Sequence, residues 1–134
     1  MDKSHLRRIL GMSNISEWFR TDDYQICRQI DKYTYEFVEF NGVDGIMISS
    51  SDIVDVSKYK DLKTGEWNKE AQDIISSYYS SLEEMRKSVG DGEDQIVAEC
   101  IFEQTSSFDE DSKQMGEDEA YQYLDDIIEG KITI

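Results

Sequence analysis

The chain has 134 residues, with 30 Asp and Glu against 14 Lys and Arg, a formal net charge of −16 at pH 7. A field of that sign repels nucleic acid and anionic membranes and attracts basic protein surfaces. At 38% hydrophobic and 11% aromatic residues the chain is too apolar for a disordered acidic tail, and its length suits one domain, 1–134, with a buried core.

Residues 1–20 read as helix. Ser4 is placed to cap a short helix through Met12, with Leu6, Ile9 and Leu10 on one side. Ser13 or Asn14 restarts it, Glu17 stands where a capping box needs an acid, and Ile15, Trp18 and Phe19 share a face by i, i+3, i+4 spacing. Thr21-Asp22-Asp23 breaks the pattern. Residues 24–50 then read as three antiparallel strands. Tyr24, Ile26, Arg28 and Ile30 alternate with Gln25, Cys27 and Gln29; Asp31-Lys32 is a hairpin turn; the run from Tyr33 to Phe40 is rich in β-formers; Asn41-Gly42-Val43-Asp44-Gly45 is a second turn; and Ile46-Met47-Ile48 resumes the sheet.

Over 51–67 two readings stand: a helical turn capped by Ser51-Asp52, or a fourth strand through Ile53-Val54-Asp55-Val56. Lys63-Thr64-Gly65-Glu66 is a surface turn. Asn68 caps a long helix over 68–89, whose Ala71, Ile74, Ile75, Tyr78, Tyr79, Leu82 and Met85 keep helical spacing, and Gly90 and Gly92 end it. Ile96, Ala98, Cys100 and Phe102 alternate with Val97, Glu99, Ile101 and Glu103, which predicts a strand over 95–104. Residues 105–116 form a polar, acidic linker. A second amphipathic helix over 117–129 turns Ala120, Tyr121, Leu124, Ile127 and Ile128 to the core, Gly130 is its C′ residue, and 131–134 adds a short terminal strand. The fold class expected is α+β: an antiparallel sheet of about four strands, N-terminal helices, one long packed helix and an acidic C-terminal helix.

Catalytic chemistry finds few footholds. His5 is the only His and lies near the N-terminus, and Cys27 and Cys100 sit in strand patterns as core residues with no His nearby to act as base. Two Cys and one His are too few for a four-ligand zinc site built from those residues. Asp109-Glu110-Asp111-Ser112-Lys113 begins like a calcium loop, but Lys113, Gln114 and Ala120 occupy positions that need an oxygen ligand, Gly and Glu. The Val89-Gly90-Asp91-Gly92-Glu93-Asp94 stretch lacks the Lys of a phosphate loop and is itself acidic. We expect no enzyme, no cofactor and no metal. The opening MDKSHLRRIL is too polar for a secretory leader and no apolar run reaches membrane-spanning length, so reduced thiols and a cytoplasmic location are expected.

The charge is unevenly spread. Residues 91–134 hold fourteen acids against two bases, a net −12; residues 1–90 hold sixteen acids against twelve bases, a net −4. The C-terminal helix opens with Glu117, Asp118 and Glu119; Asp118, Gln122, Asp125 and Glu129 form a stripe, which Glu119 and Asp126 widen, and the preceding acidic loop Asp109-Glu110-Asp111 adds to the repulsion. Helix neighbours three or four apart lie roughly 5–6 Å from each other, and like charges there cost a few tenths of a kcal/mol per pair. The plain explanation is a solvated face that keeps the protein in solution. The sharper one is an imitation of a phosphate backbone, with Tyr121, Tyr123 and Phe108 as aromatic anchors near the stripe. Core packing accounts for Tyr121, and for Tyr123 and Phe108 the choice is open.

In size, charge asymmetry and its acidic helix over 117–129, the chain resembles the small acidic phage and mobile-element inhibitors that mimic nucleic acid, the anti-CRISPR and anti-restriction proteins. The resemblance implies a stoichiometric inhibitor in a bacterial host. Its partner would be a basic nucleic-acid-binding protein, a Cas effector or next a restriction nuclease, engaged through Asp109, Glu110, Asp111, Glu117, Asp118, Glu119, Asp125, Asp126 and Glu129. No direct nucleic-acid or membrane contact is implied. Two other readings share the acidity: an immunity protein or antitoxin that neutralises a basic nuclease toxin, and a small regulatory domain without mimicry.

Overall fold

A computed structural model describes residues 17–106 and 112–132. It is α+β. Five strands form one antiparallel sheet in sequential order: β1 (Phe19–Asp22), β2 (Gln25–Asp31), β3 (Thr34–Val43), β4 (Ile46–Asp55) and β5 (Gln114–Met115). Short polar residues make the turns. The Asp22 carboxylate accepts from the Tyr24 amide and the Asp31 carboxylate from the Tyr33 amide, closing the first two hairpins. The third turns on Asp44-Gly45, whose φ angles of 52° and 82° give the two left-handed residues that a tight hairpin needs. Asn41, Gly42 and Val43 belong to β3 rather than to this turn.

Strand β3 is apolar on both faces. Tyr35 and Phe37 point to one side and Val38 and Phe40 to the other, so both sides require cover. On the first side, Trp67 and helices α1 (Lys69–Ile75), α2 (Leu82–Val89) and α3 (Glu93–Thr105), through Ala71, Ile75, Met85, Val97, Ala98, Ile101 and Phe102, pack against Cys27, Tyr35, Phe37 and Val54. Phe37 and Phe102 stack with ring centroids 5.1 Å apart. On the second side, α4 (Glu117–Ile128) packs Ala120, Leu124 and Ile127 against Trp18, Ile26, Val38 and Phe40. Phe40 meets Tyr123 edge-on at 5.8 Å.

Several expectations are corrected. Residues 17–20 are not helical: Trp18 is buried in the second core and Phe19 and Arg20 pair with Cys27 and Ile26 in β1. Trp18 and Phe19 face opposite ways here: Trp18 is buried and Phe19 is 36% exposed. The expected helix from Ser4 through Met12, with its restart at Ser13 or Asn14, lies outside the described residues.

The long helix over 68–89 is two helices, separated at residues 76–81. Four of those six residues are Ser, and Ser hydroxyls compete for backbone groups. Ser76 donates to the Asp73 carbonyl, and Ser81 accepts from the Glu84 amide as the N-cap of α2. The expected strand over 95–104 is helix α3. Val97 and Ile101, on the supposedly polar side of the alternation, are buried, and with Ala98 and Phe102 they make a helical face. The linker over 105–116 contributes β5, where the Ser49 amide donates to the Lys113 carbonyl (2.9 Å) and the Lys113 amide to the Ser49 hydroxyl (2.7 Å). Of the two readings for 51–67 the strand is observed, as the continuation of β4 to Asp55, followed by a 3-10 turn over Val56–Lys58. Lys131 and Ile132 bend away without strand pairing.

The two cores make unequal demands on side chains and caps. Leu124→Ala, which empties a fully buried site under the sheet, is expected to destabilise the protein by about 2–5 kcal/mol, and Ser81→Ala, which removes only the α2 cap, by about 1 kcal/mol. Urea unfolding followed by circular dichroism measures both.

Candidate acidic interface

Helix α4 offers its outer face because Ala120, Leu124 and Ile127 hold the inner one against β2 and β3. Glu117, Asp118, Glu119 and Glu129 are exposed, and Asp125 and Asp126 are half-buried. The stripe is not uniformly free. Arg20 of β1 reaches across to Asp125 at 3.0 Å and lies 4.1 Å from the centre of the Tyr121 ring, while Lys131 pairs with Glu129 at 3.0 Å. Tyr24 donates its hydroxyl to Glu117 at 2.8 Å and stands edge-on to Tyr121. That bond to a carboxylate favours the protonated phenol and pushes Tyr24 up to about 12. Asp126 accepts from Gln122 at 2.9 Å. Among the described residues no cation pairs with Asp118, Glu119 or Asp126.

The first-turn acids Glu117, Asp118 and Glu119 suit the positive end of the helix dipole, so their presence has a local reason. Asp125, Asp126 and Glu129 do not. They crowd the end where the dipole disfavours negative charge, and the last turn holds no base. The candidate residues Asp109, Glu110 and Asp111, and the anchor Phe108, lie outside the described residues. Tyr121, expected in the core, is 41% exposed and is the aromatic that faces solvent beside the acids. Tyr123 is half-buried against Phe40, with the Lys113 ammonium 5.6 Å from its ring.

A second acidic locus, missed in the sequence, lies on the opposite side of the sheet. A cavity of about 170 Å³ is lined by Asp22, Gln25, Tyr78, Tyr79, Ile96, Glu99, Cys100 and Glu103. Behind it sits Glu39 of β3, a carboxyl only 9% exposed. The signal for Glu39 was present, since it has the same strand parity as Tyr35 and Phe37. The signal for Glu99 and Glu103 was hidden, because they become neighbours one turn apart only when the segment is helical. Burial raises the pKa of Glu99, and the Gln95 amide that donates to it opposes the shift. Among the described residues no three His, Cys, Asp or Glu side chains are grouped to hold a metal ion, and no helix is long and apolar enough to cross a membrane.

Fold and site together define an antiparallel α+β protein that carries an acidic helix outward on one side of its sheet and a buried carboxyl, Glu39, on the other. No family model, curated protein or solved structure matches the chain.

Cys27 and Cys100 are both buried, and burial pushes their thiols up to about 12 and 11. At pH 8 a thiol-disulfide reagent is expected to label neither in the folded protein and both in denaturant, because the thiolate is the reacting form. A fast-labelling thiol in the native state would contradict this packing.

Proposed function

We propose that the chain is a stoichiometric inhibitor that binds a basic, nucleic-acid-reading protein of host defence, a CRISPR effector foremost and a restriction nuclease next. The outer face of α4 occupies the channel or cleft that otherwise holds nucleic acid. The observation that carries this reading is the placement of acids against local stability. Asp125, Asp126 and Glu129 collect at the unfavourable end of the helix dipole, and among the described residues only two of them are paired with a cation, by Arg20 and Lys131. A face kept acidic merely for hydration has no need of carboxylates at that end.

Mechanistically the face supplies what a Lys- and Arg-lined groove binds. Carboxylates spaced by helical turns engage guanidinium groups, bidentately where the geometry allows, and complementary charge speeds encounter. Tyr121, partly exposed and held between Arg20 and Tyr24, is a preorganised aromatic contact at the centre of that face. No chemistry on the target is required. The protein competes by occupancy.

The test is charge reversal at positions that hold no ion pair among the described residues. Asp118→Lys, Glu119→Lys and Asp126→Lys together are expected to weaken binding to a purified guide-loaded Cas effector by more than about tenfold and to abolish competition with target DNA. Wild-type binding should itself weaken by more than about tenfold between 50 and 200 mM salt. Affinity unchanged in the triple variant, measured by biolayer interferometry, would sink the mimicry reading.

A further inference from the structure

Three bases of this protein share one setting, between an aromatic ring and a carboxylate. Arg20 lies 4.1 Å from the centre of the Tyr121 ring and pairs with Asp125 at 3.0 Å. Arg28 lies 4.7 Å from the Trp18 ring and pairs with Glu36 at 2.7 Å. Lys60 lies 5.1 Å from the Trp67 ring and pairs with Asp94 at 2.9 Å. The negative face of the ring and the carboxylate attract the same cation, so each pairing of ring and acid in this fold marks where a base sits.

The cavity beside α3 has the same two components and no base of its own among the described residues. Ile96, Glu99 and Glu103 stand three to four residues apart, which brings all three to one face of α3. Asp22, the last residue of β1, faces them across the cavity, and Tyr78 and Tyr79 of the turn between α1 and α2 supply the aromatic wall. Neutral donors set these groups in place. The Tyr24 amide donates to Asp22 at 2.8 Å, the Gln95 side chain to Glu99 at 3.2 Å, and the Gln25 side chain, itself 3% exposed, to Glu103 at 3.1 Å. The Gln104 side chain donates to the Tyr78 hydroxyl at 3.1 Å. Among the described residues no cation pairs with Asp22, Glu99 or Glu103.

The arrangement of the acceptors selects the kind of cation. Among the described residues no three acids converge as a metal ion requires. They stand instead around a space of about 170 Å³. Acceptors spread around a cavity suit a guanidinium, whose five N–H donors fan out in one plane and whose flat face stacks on an aromatic ring. An ammonium is a compact point charge and matches them less well.

We propose that this cavity is a binding site for a guanidinium group, the head of a partner's arginine or of a free alkylguanidinium, with Asp22, Glu99 and Glu103 as its acceptors and Tyr78 and Tyr79 as its aromatic wall. The site lies across the sheet from α4, and it stands or falls independently of the outer face of that helix. Burial raises the Glu99 carboxyl and the charges of Asp22 and Glu103 raise it further, against the Gln95 amide, so a cation in the cavity relieves a repulsion already present.

NMR titration of the isotope-labelled full chain at constant ionic strength tests the site. Ethylguanidinium, added to about 20 mM, is expected to shift the side-chain amides of Gln25 and Gln95 and the Tyr78 ring signals saturably, with a dissociation constant in the millimolar range. Ethylammonium should bind at least about threefold more weakly. Glu99→Gln with Glu103→Gln removes two charges, keeps the shape and should weaken ethylguanidinium binding by more than about tenfold. If that double variant does not fold, Tyr78→Ala, at a side chain 44% exposed, takes its place with an expected loss of at least about threefold. A tripeptide with a central Arg and blocked ends separates the two sources. Binding tighter than that of ethylguanidinium assigns the site to an arginine of a partner, and equal or weaker binding assigns it to a free small cation. Shifts that do not saturate, that sodium or ethylammonium reproduces equally, or that persist unchanged in the variant overturn the proposal.

Discussion

Phe37 stacks on Phe102 while the next residue, Val38, faces the opposite way into the core under α4. A strand buried on both faces cannot lie at an edge or face water, and β3 is accordingly the middle strand of five. The other arrangements depend on it. Its two flanks are paired by β2 and β4, and its two faces must be covered by helices of different origin. One side takes the helical run that follows β4, and the other takes α4 from the C-terminal segment. The sheet is thereby sandwiched, and each helix has one face committed inward before any function is considered.

That commitment sorts the charges. Once Ala120, Leu124 and Ile127 fill the inner face of α4, its acids have only solvent or the sheet edge to face. The fold answers selectively: Arg20 is drawn to Asp125 and shielded beneath Tyr121, and Lys131 closes on Glu129. Exposed pairs of this kind contribute little to stability, so their effect is mainly to fix which acids remain open. The open set is narrower than the linear charge pattern suggested, and it centres on Asp118, Glu119 and Asp126, with Tyr121 beside them.

The opposite side of the sheet follows another logic. There the carboxyl of Glu39 is carried inward by strand parity, where burial raises its pKa and the Gln25 amide donates to it at 3.5 Å. One face of the molecule thus displays negative charge, and the other holds a carboxyl out of water. Both arrangements come from the same excess of acids over bases. The difference is whether water can reach them.

Local chemistry carried much of this structure into the sequence. The turn at Asp44-Gly45, the strands around it, the cap at Asn68 and the amphipathic helix over 117–129 were legible because each depends on a few adjacent residues. The break in the helix over 68–89 was written in four serines but masked by apolar spacing that continues across the gap through Tyr79 and Leu82. Segment 95–104 was illegible for another reason. Apolar residues on both parities fit a strand or a buried helix equally well, and only the need to cover Phe37 selects the helix. Strand β5 is two residues long and exists through its pairing with Met47 and Ile48. The sequence by itself determined the fold class, the charge and the acidic face of the last helix, since these follow from composition and short-range periodicity. Tertiary structure alone decided which acids find a cation, which aromatic stays exposed and which carboxyl is buried, because those depend on contacts between residues as far apart as Arg20 and Asp125.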